Sequence, residues 1–351
     1  MDDLVQALTA WFGRSQRPLP WRQTGDPYAV WVSEVMLQQT QVERVIPFYL
    51  AFLERFPTVE ALARAPLDDV LARWRGLGYY ARARALHAAA RQVVEAHRGQ
   101  LPKTVEGLRT LPGFGRYTAG AVASIAFGVR APIVDGNVAR VLSRLFEVEG
   151  APGEKAREAR LWALAEGLVP ARRPGDFNQA LMELGATVCL PSRPLCLLCP
   201  VSRACGALRH GRVEELPPPR KAARRRRLEL AVAVAQRRGA VLLARRPEGG
   251  LFGGLWELPC AEASQGGARG LERLLGPGAV VGPELVVVER TLTHRELVLR
   301  LHPTRLAGRL AAAPAPYTEW RWVARAAARR LGMSSAMEAV MEAGLPSTKT
   351  P

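Results

Sequence analysis

The sequence predicts two domains of different class: an all-α domain over residues 1–210, a linker over 211–227, and a smaller α+β domain over 228–351. Three observations carry this reading. Apolar residues recur at intervals of three and four along the first part, the signature of amphipathic helices. The stretch VEELPPPRKAARRRR, 213–227, then sets three prolines before a basic run, a composition that cannot pack a core. Beyond it the apolar period falls to two, as in strands. A chain of 351 residues is long enough for two ordinary cores.

The elements follow in order. MDDLVQALTAWFGR is acidic and then amphipathic, unlike a secretory leader. DPYAVWVSEVMLQQTQVERVIPFYLAFLERF opens with Asp26 as a cap and Pro27 at the first helical position, and Val32, Val35, Met36 and Val42 keep helical spacing. TVEALARAPLDDVLARW, ARARALHAAARQVVEAH, AREARLWALAEGLV and DFNQALMELGA continue the pattern. Between two helices, TLPGFGRYTAG makes a tight turn in which Gly113 and Gly115 permit positive φ and close backbone approach. The helix after the turn starts with unpaired N–H groups, and Arg116 adds charge, so a DNA phosphate fits there without any sequence readout. After the linker, LELAVAVAQ and AVLLARR flank RRG as a hairpin. ELVVVERTLTHRELVLRLHP is strand-rich, EWRWVA reads as a last strand, and a helix is expected near 334–343.

Forty-nine Lys and Arg against 32 Asp and Glu leave a net charge of +17, which favours a polyanion partner. The basic residues are almost all arginine; lysine stands only at Lys103, Lys155, Lys221 and Lys349. No apolar run reaches the ~18–20 residues of a membrane span, so a cytoplasmic protein away from membranes is the default; it is expected to be a monomer. Four of the five cysteines, Cys189, Cys196, Cys199 and Cys205, fall within seventeen residues. That crowding argues for a metal centre, and four thiolates suit either tetrahedral zinc or an iron–sulfur cube. Arg193 and Arg203 lie in the same loop, where they are placed to touch phosphate, and the isolated Cys260 reads as a packed thiol.

Two carboxylates stand out. Glu34 interrupts the apolar stretch WVSEVML; facing a pocket, it would be desolvated and act as an acid at neutral pH, and facing water it would be an ordinary helix glutamate. Asp135, in PIVDGNVARVL, is a good helix N-cap. Breaking a glycosidic bond needs such a pair, one group to protonate the leaving group and one to face the sugar cation.

TLPGFGRYTAG resembles the helix-hairpin-helix of the endonuclease III superfamily of DNA glycosylases. SEVMLQQTQV, GLGYYARAR, FNQALMELGA and VDGNVARVL resemble the MutY-type adenine DNA glycosylases over nearly all of residues 10–206. The resemblance implies a helix-hairpin-helix glycosylase domain, with the six-two-five cysteine spacing holding a [4Fe–4S] cluster. Glu34 would protonate adenine at N7 and then activate water, Asp135 would steady the oxocarbenium ion, and Asn137 would orient both. Tyr117 stands where glycosylase/lyases of the superfamily carry a Schiff-base lysine; a phenol forms no imine, so strand cleavage is not expected. Tyr79 and Gln39 match intercalating positions, and Trp21, Arg22 and Gln179 match the base pocket. Arg82, Arg84, Arg140 and Arg144 are candidates for phosphate contacts. GGLWELP and the later hairpins resemble the Nudix-like domain that recognises 8-oxoguanine in this family, without the glutamate-dense helix of Nudix hydrolases. The lesion-reading triplet, commonly Phe-Ser-His, reads Leu292-Thr293-His294 here. The expected partner is duplex DNA carrying adenine opposite 8-oxoguanine or guanine. The alternatives are an endonuclease III-type lyase for oxidised pyrimidines, a non-enzymatic cluster-bearing DNA-binding module and, more remotely, a nucleotide hydrolase.

Overall fold

The computed structural model describes residues 2–219, 225–308, 310, 312–328 and 330–345. Linker residues 220–224 and the chain end 346–351, with Lys221 and Lys349, lie outside the described residues. The chain forms two compact units. One comprises Met1–Arg64 and Ala85–Lys221; the other comprises Ala65–Arg84 and Ala222–Pro351.

Among its described residues the first unit forms helices and no strand. Its core joins Leu4, Leu8 and Phe12 of the helix Asp2–Ser15 to Val138, Val141, Leu142 and Leu145 of the helix Gly136–Leu145. Phe177, Ala180, Leu181 and Leu184 of the helix Pro174–Thr187 complete it. The spacing of three and four in each set turns one stripe of every helix inward. The helix Pro27–Leu37 differs, because every residue from Tyr28 to Met36 is buried. It runs through the interior, capped by Asp26, whose carboxylate accepts from the Tyr28 and Ala29 N–H groups at 3.0 and 3.3 Å. The predicted turn joins the helices Val105–Arg109 and Arg116–Phe127. Gly113 sits there at φ +79°, where a Cβ would lie 2.8 Å from the Ala85 side chain, so glycine is required on both counts.

The second unit is built on a mixed sheet of β1 (Arg226–Arg237), β2 (Ala240–Arg245), β3 (Trp256–Glu257), β4 (Cys260–Glu262), β5 (Ala279–Val281), β6 (Val286–Thr291), β7 (Arg295–Leu306) and β8 (Glu319–Ala324). β1 and β7 pair in parallel over ten residues, from Arg226 opposite Arg295 to Ala235 opposite Thr304. Among the described residues the other strand-to-strand pairings are antiparallel, including the expected β1–β2 hairpin and the β6–β7 hairpin closed by Leu292–His294. Alternation along β1 divides the core in two. Leu230, Val232 and Val234 pack with Met337 and Val340 of the helix Ser335–Gly344. Ala231, Ala233 and Ala235 pack with Leu271 and Leu275 of the helix Ala268–Leu275. A period of two thus places the larger residues on one face and the alanines on the other.

Candidate active site

The helical unit holds a cleft of about 640 Å³ lined by Trp21, Arg22, Glu34, Gln39, Gly113, Gly115, Tyr117, Asp135, Asn137 and Gln179. Ten residues singled out from the sequence therefore share one cavity. Tyr79, Thr293 and His294 belong to the other unit.

Glu34 projects from the buried 27–37 helix and is only 4 % exposed. Tyr117, in the first turn of the 116–127 helix, donates its phenol hydrogen to Glu34 Oε2 at 2.8 Å and also lies 3.2 Å from Met182 Sδ. Burial pushes the Glu34 carboxyl up to about 7. The Tyr117 hydrogen bond and the Arg22 charge oppose that rise, and the Asp135 charge adds to it. A carboxylic acid at this value is half protonated near neutrality, as a general acid requires. The phenol itself is held well above its ordinary value, first by burial and then by the Glu34 charge, so Tyr117 stays a neutral donor.

Asp135 fills both of its sequence readings at once. It is the N-cap of the 136–145 helix, accepting from the Val138 N–H at 2.7 Å, and it lines the cleft. Burial raises its pKa, and the Val138 and Asn137 N–H groups oppose the rise. Asn137 Nδ2 lies 3.3 Å from Asp135 Oδ2, and Asn137 Oδ1 accepts from Arg140 at 2.9 Å. Against Asn137 the 174–187 helix approaches so closely that a Cβ on Gly185 would lie 2.6 Å from Asn137 Cβ.

Of one wall of the cleft the sequence reading found Gln179 and missed its neighbours. Gln179, Met182, Glu183 and Ala186 all line it, at spacings i, i+3, i+4 and i+7 on the 174–187 helix. That spacing from Gln179 is the signal that finds them. Glu183 is buried and accepts from Arg17 Nε and Nη2, both at 2.9 Å, from the Arg17 N–H at 3.0 Å, and from Arg22 Nη2 at 2.8 Å. Arg22 also stacks on Phe12 at 5.1 Å. Trp21 packs edge-on against Tyr49 at 5.4 Å. Gln38 Nε2 donates to Thr118 Oγ1 at 3.0 Å, and its neighbour Gln39 takes a left-handed φ of +56°.

Four arginines considered for phosphate are spent on the protein itself. Arg140 donates to the carbonyls of Cys189 at 2.8 Å and Gly185 at 2.7 Å. Arg144, 3 % exposed, donates to the carbonyls of Leu216, Leu190 and Pro191. Arg82 Nη2 donates to Leu77 and Gly78 carbonyls, and Arg84 donates to those of Gly253 and Glu248. Carbonyls left over by loops and helix ends need donors, and a buried guanidinium supplies several at once. Arg116 remains at the surface, its guanidinium 3.8 Å from the Trp162 ring centroid, and Arg193 and Arg203 are exposed.

Cys189, Cys196, Cys199 and Cys205 line a second cavity, with Val141, Leu145, Leu184 and Arg144 around them. Arg144 Nη1 is 3.4 Å from Cys189 Sγ. Among the described residues, no three His, Cys, Asp or Glu side chains converge on one ion position. Burial, reinforced by the neighbouring cysteines, pushes the Cys199 thiol up to about 11, so the thiolate form needs a cationic partner. Cys260, in the other unit, donates its thiol hydrogen to the Leu258 carbonyl and packs on the sheet core, as a structural thiol does.

The signature of the HhH-GPD superfamily base excision DNA repair proteins matches residues 32–166, and that of the NUDIX domain matches 231–343. A solved thermostable thymine-DNA glycosylase is 31% identical at a TM-score of 0.53, covering 59% of this chain and 95% of that one. An endonuclease III trapped in a covalent complex with DNA shares the fold at a TM-score of 0.50 and 22% identity, covering 59% of this chain and 94% of its own. Fold and site together define a helix-hairpin-helix DNA glycosylase with an appended Nudix-like domain. The adenine DNA glycosylase of Homo sapiens is 40% identical over 396 aligned residues, 95% of this chain and 72% of that protein. The chain belongs to the adenine DNA glycosylase family. Among its described residues no helix is long and apolar enough to cross a membrane.

Proposed function

We propose that the chain hydrolyses the N-glycosidic bond of adenine opposite 8-oxoguanine, and more slowly opposite guanine, in duplex DNA, leaving the strand intact. The carrying observation is Glu34, a buried acid at about 7 that shares its cleft with Asp135. Glu34 delivers a proton to N7 of the extruded adenine, which makes the base a neutral leaving group. Asp135, held by Val138 and Asn137, offers negative charge to the positive sugar that develops. The Glu34 carboxylate, steadied by the hydrogen bond from Tyr117, then takes a proton from water as the water oxygen adds to the sugar, which restores the acid. With a phenol at residue 117 and, among the described residues, no lysine lining the cleft, no imine to the sugar forms.

The four cysteine thiolates would hold a [4Fe–4S] cluster. All four cysteines line one cavity, and four thiolates around one cavity are the donor set such a cluster takes. The cluster, when bound, would offset part of the thiolate charge and fasten the loop. Arg140 and Arg144 carry that anchoring into the helix that Asp135 caps. In the second unit, Thr293 and His294 at the exposed β6–β7 tip would read the lesion, since Thr donates and accepts as Ser does. Leu292 packs on the sheet core, so it anchors the tip rather than stacking on a base.

The test is release of free adenine from duplexes that differ only in the opposite base, at fixed salt. Adenine release with strand breaks appearing only after alkali is the expected result. Nicking at neutral pH with a borohydride-trapped adduct would instead support the lyase reading. Iron and acid-labile sulfide in equal amounts support the cluster, and stoichiometric zinc refutes it. Thr293→Ala with His294→Ala should slow action opposite 8-oxoguanine more than opposite guanine.

A further inference from the structure

The segment 65–84 interrupts the helical part of the sequence, yet it belongs to the same compact unit as the sheet. Its attachments there are polar and specific. Arg75 donates to the Leu331 carbonyl at 2.9 Å and pairs with Glu338. Tyr80 Oη donates to the Met333 carbonyl at 3.1 Å, and Arg84 holds the carbonyls of Gly253 and Glu248. Within the segment, Arg82 is stacked between Trp74 and Tyr79, with its guanidinium carbon 5.4 and 5.5 Å from the two ring centroids. Tyr79 is thereby held at a left-handed φ of +49°, a conformation a bulky residue keeps only when its surroundings impose it. Its ring is 38 % exposed, and its hydroxyl donates to Thr293 Oγ1 at 2.9 Å. Thr293 sits at the tip that Leu292 closes with a hydrogen bond to the Arg295 carbonyl at 2.8 Å.

We propose that the Tyr79 hydroxyl, as distinct from its ring, is a specificity-determining group: it positions Thr293 Oγ1 and joins the wedge and the reading hairpin into one device facing the base opposite adenine. This inference rests on the lesion-reading role given to Thr293 above. Guanine presents a bare N7 and a C8–H; 8-oxoguanine presents an N7–H and a C8 carbonyl. A threonine hydroxyl that already accepts from Tyr79 keeps one lone pair and its own proton for that edge, with its rotor set by the phenol. Without the phenol the hydroxyl is free to turn and to suit either purine. Tyr79 is therefore a positioning residue through its oxygen.

Single-turnover adenine release on duplexes with 8-oxoguanine or guanine opposite the target tests this, using Tyr79→Phe, Thr293→Ala, Thr293→Ser and the Tyr79→Phe/Thr293→Ala pair. Tyr79→Phe keeps the aromatic ring. It should narrow the rate ratio between the two duplexes about three- to tenfold, the size of one neutral hydrogen bond. Thr293→Ser should keep the wild-type ratio, and the double variant should match Thr293→Ala alone. A wild-type ratio in Tyr79→Phe, or losses that multiply in the double variant, overturns the coupling. If Thr293→Ala narrows the ratio while Tyr79→Phe does not, the coupling fails and lesion reading stands. If Thr293→Ala slows both duplexes equally, both fail.

Discussion

Two walls of one cleft carry the same residue and treat it in opposite ways. Glu34, on the 27–37 helix, and Glu183, on the 174–187 helix, are both buried. Burial pushes Glu34 up to about 7, with a neutral phenol as its hydrogen-bond donor. Burial pushes on Glu183 as well, but the hydrogen bonds from Arg17 and Arg22 outweigh it and hold that carboxyl at about 2. Desolvation alone therefore does not make an acid; desolvation without a cationic partner does. The two walls are linked through Arg22. Arg22 pairs with Glu183 at 2.8 Å, and the same charge opposes the rise of the Glu34 pKa.

The largest expected effect breaks the contrast at its functional side. Glu34→Gln should slow adenine release by about 10²–10⁴-fold, the usual range for a lost general acid, while duplex binding persists. Unchanged release would show that Glu34 is not the acid. Asp135→Asn comes next. Asparagine caps a helix as well as aspartate does, so thermal stability should hold while the rate falls about 10²–10³-fold, as for a lost electrostatic stabiliser. A large loss of stability with a normal rate would reduce Asp135 to a cap.

Glu183→Ala attacks the other wall. It leaves Arg17 and Arg22 unpaired and should cost on the order of 3 kcal/mol in denaturant unfolding. It should also shift the alkaline limb of the pH–rate profile downward, because Arg22 then lowers the Glu34 pKa. An unmoved limb would show that the two carboxylates are independent. The smallest effect is in stability against pH. Because the Glu34 pKa is raised in the folded state, that state binds the extra proton between pH 4.5 and about 7, and stability declines as pH rises through this window. Glu34→Gln should flatten that decline and be the more stable protein at pH 8. Glu183 has the opposite sign: its contribution is complete above pH 4.5 and is lost as pH falls towards 2.

How far the sequence anticipates this site depends on whether a signal is local. Strand β8, Glu319–Ala324, coincides with the stretch EWRWVA, and β1 was visible as LELAVAVAQ because a period of two needs no partner to be seen. Cysteine spacing and the glycine turn are local in the same sense. Glu183 was not legible as a cleft residue, since FNQALMELGA shows a glutamate but not the two arginines more than 160 positions away that bind it. Arg140 and Arg144 look like surface charge until the carbonyls they satisfy come into place. The affiliation of segment 65–84 is likewise invisible, because its helical pattern says which face is apolar and not what covers it.

That affiliation bears on how the molecule can be cut. A boundary drawn at the proline-rich stretch looks natural, yet a fragment ending there would strip Leu71 of the Gly332 backbone against it and Tyr80 of its acceptor at Met333. The severed sheet would in turn lose the guanidinium that clasps Glu338 and Leu331. Splitting this polypeptide cleanly therefore takes three scissions rather than one, and a two-piece dissection should yield sticky, poorly behaved halves.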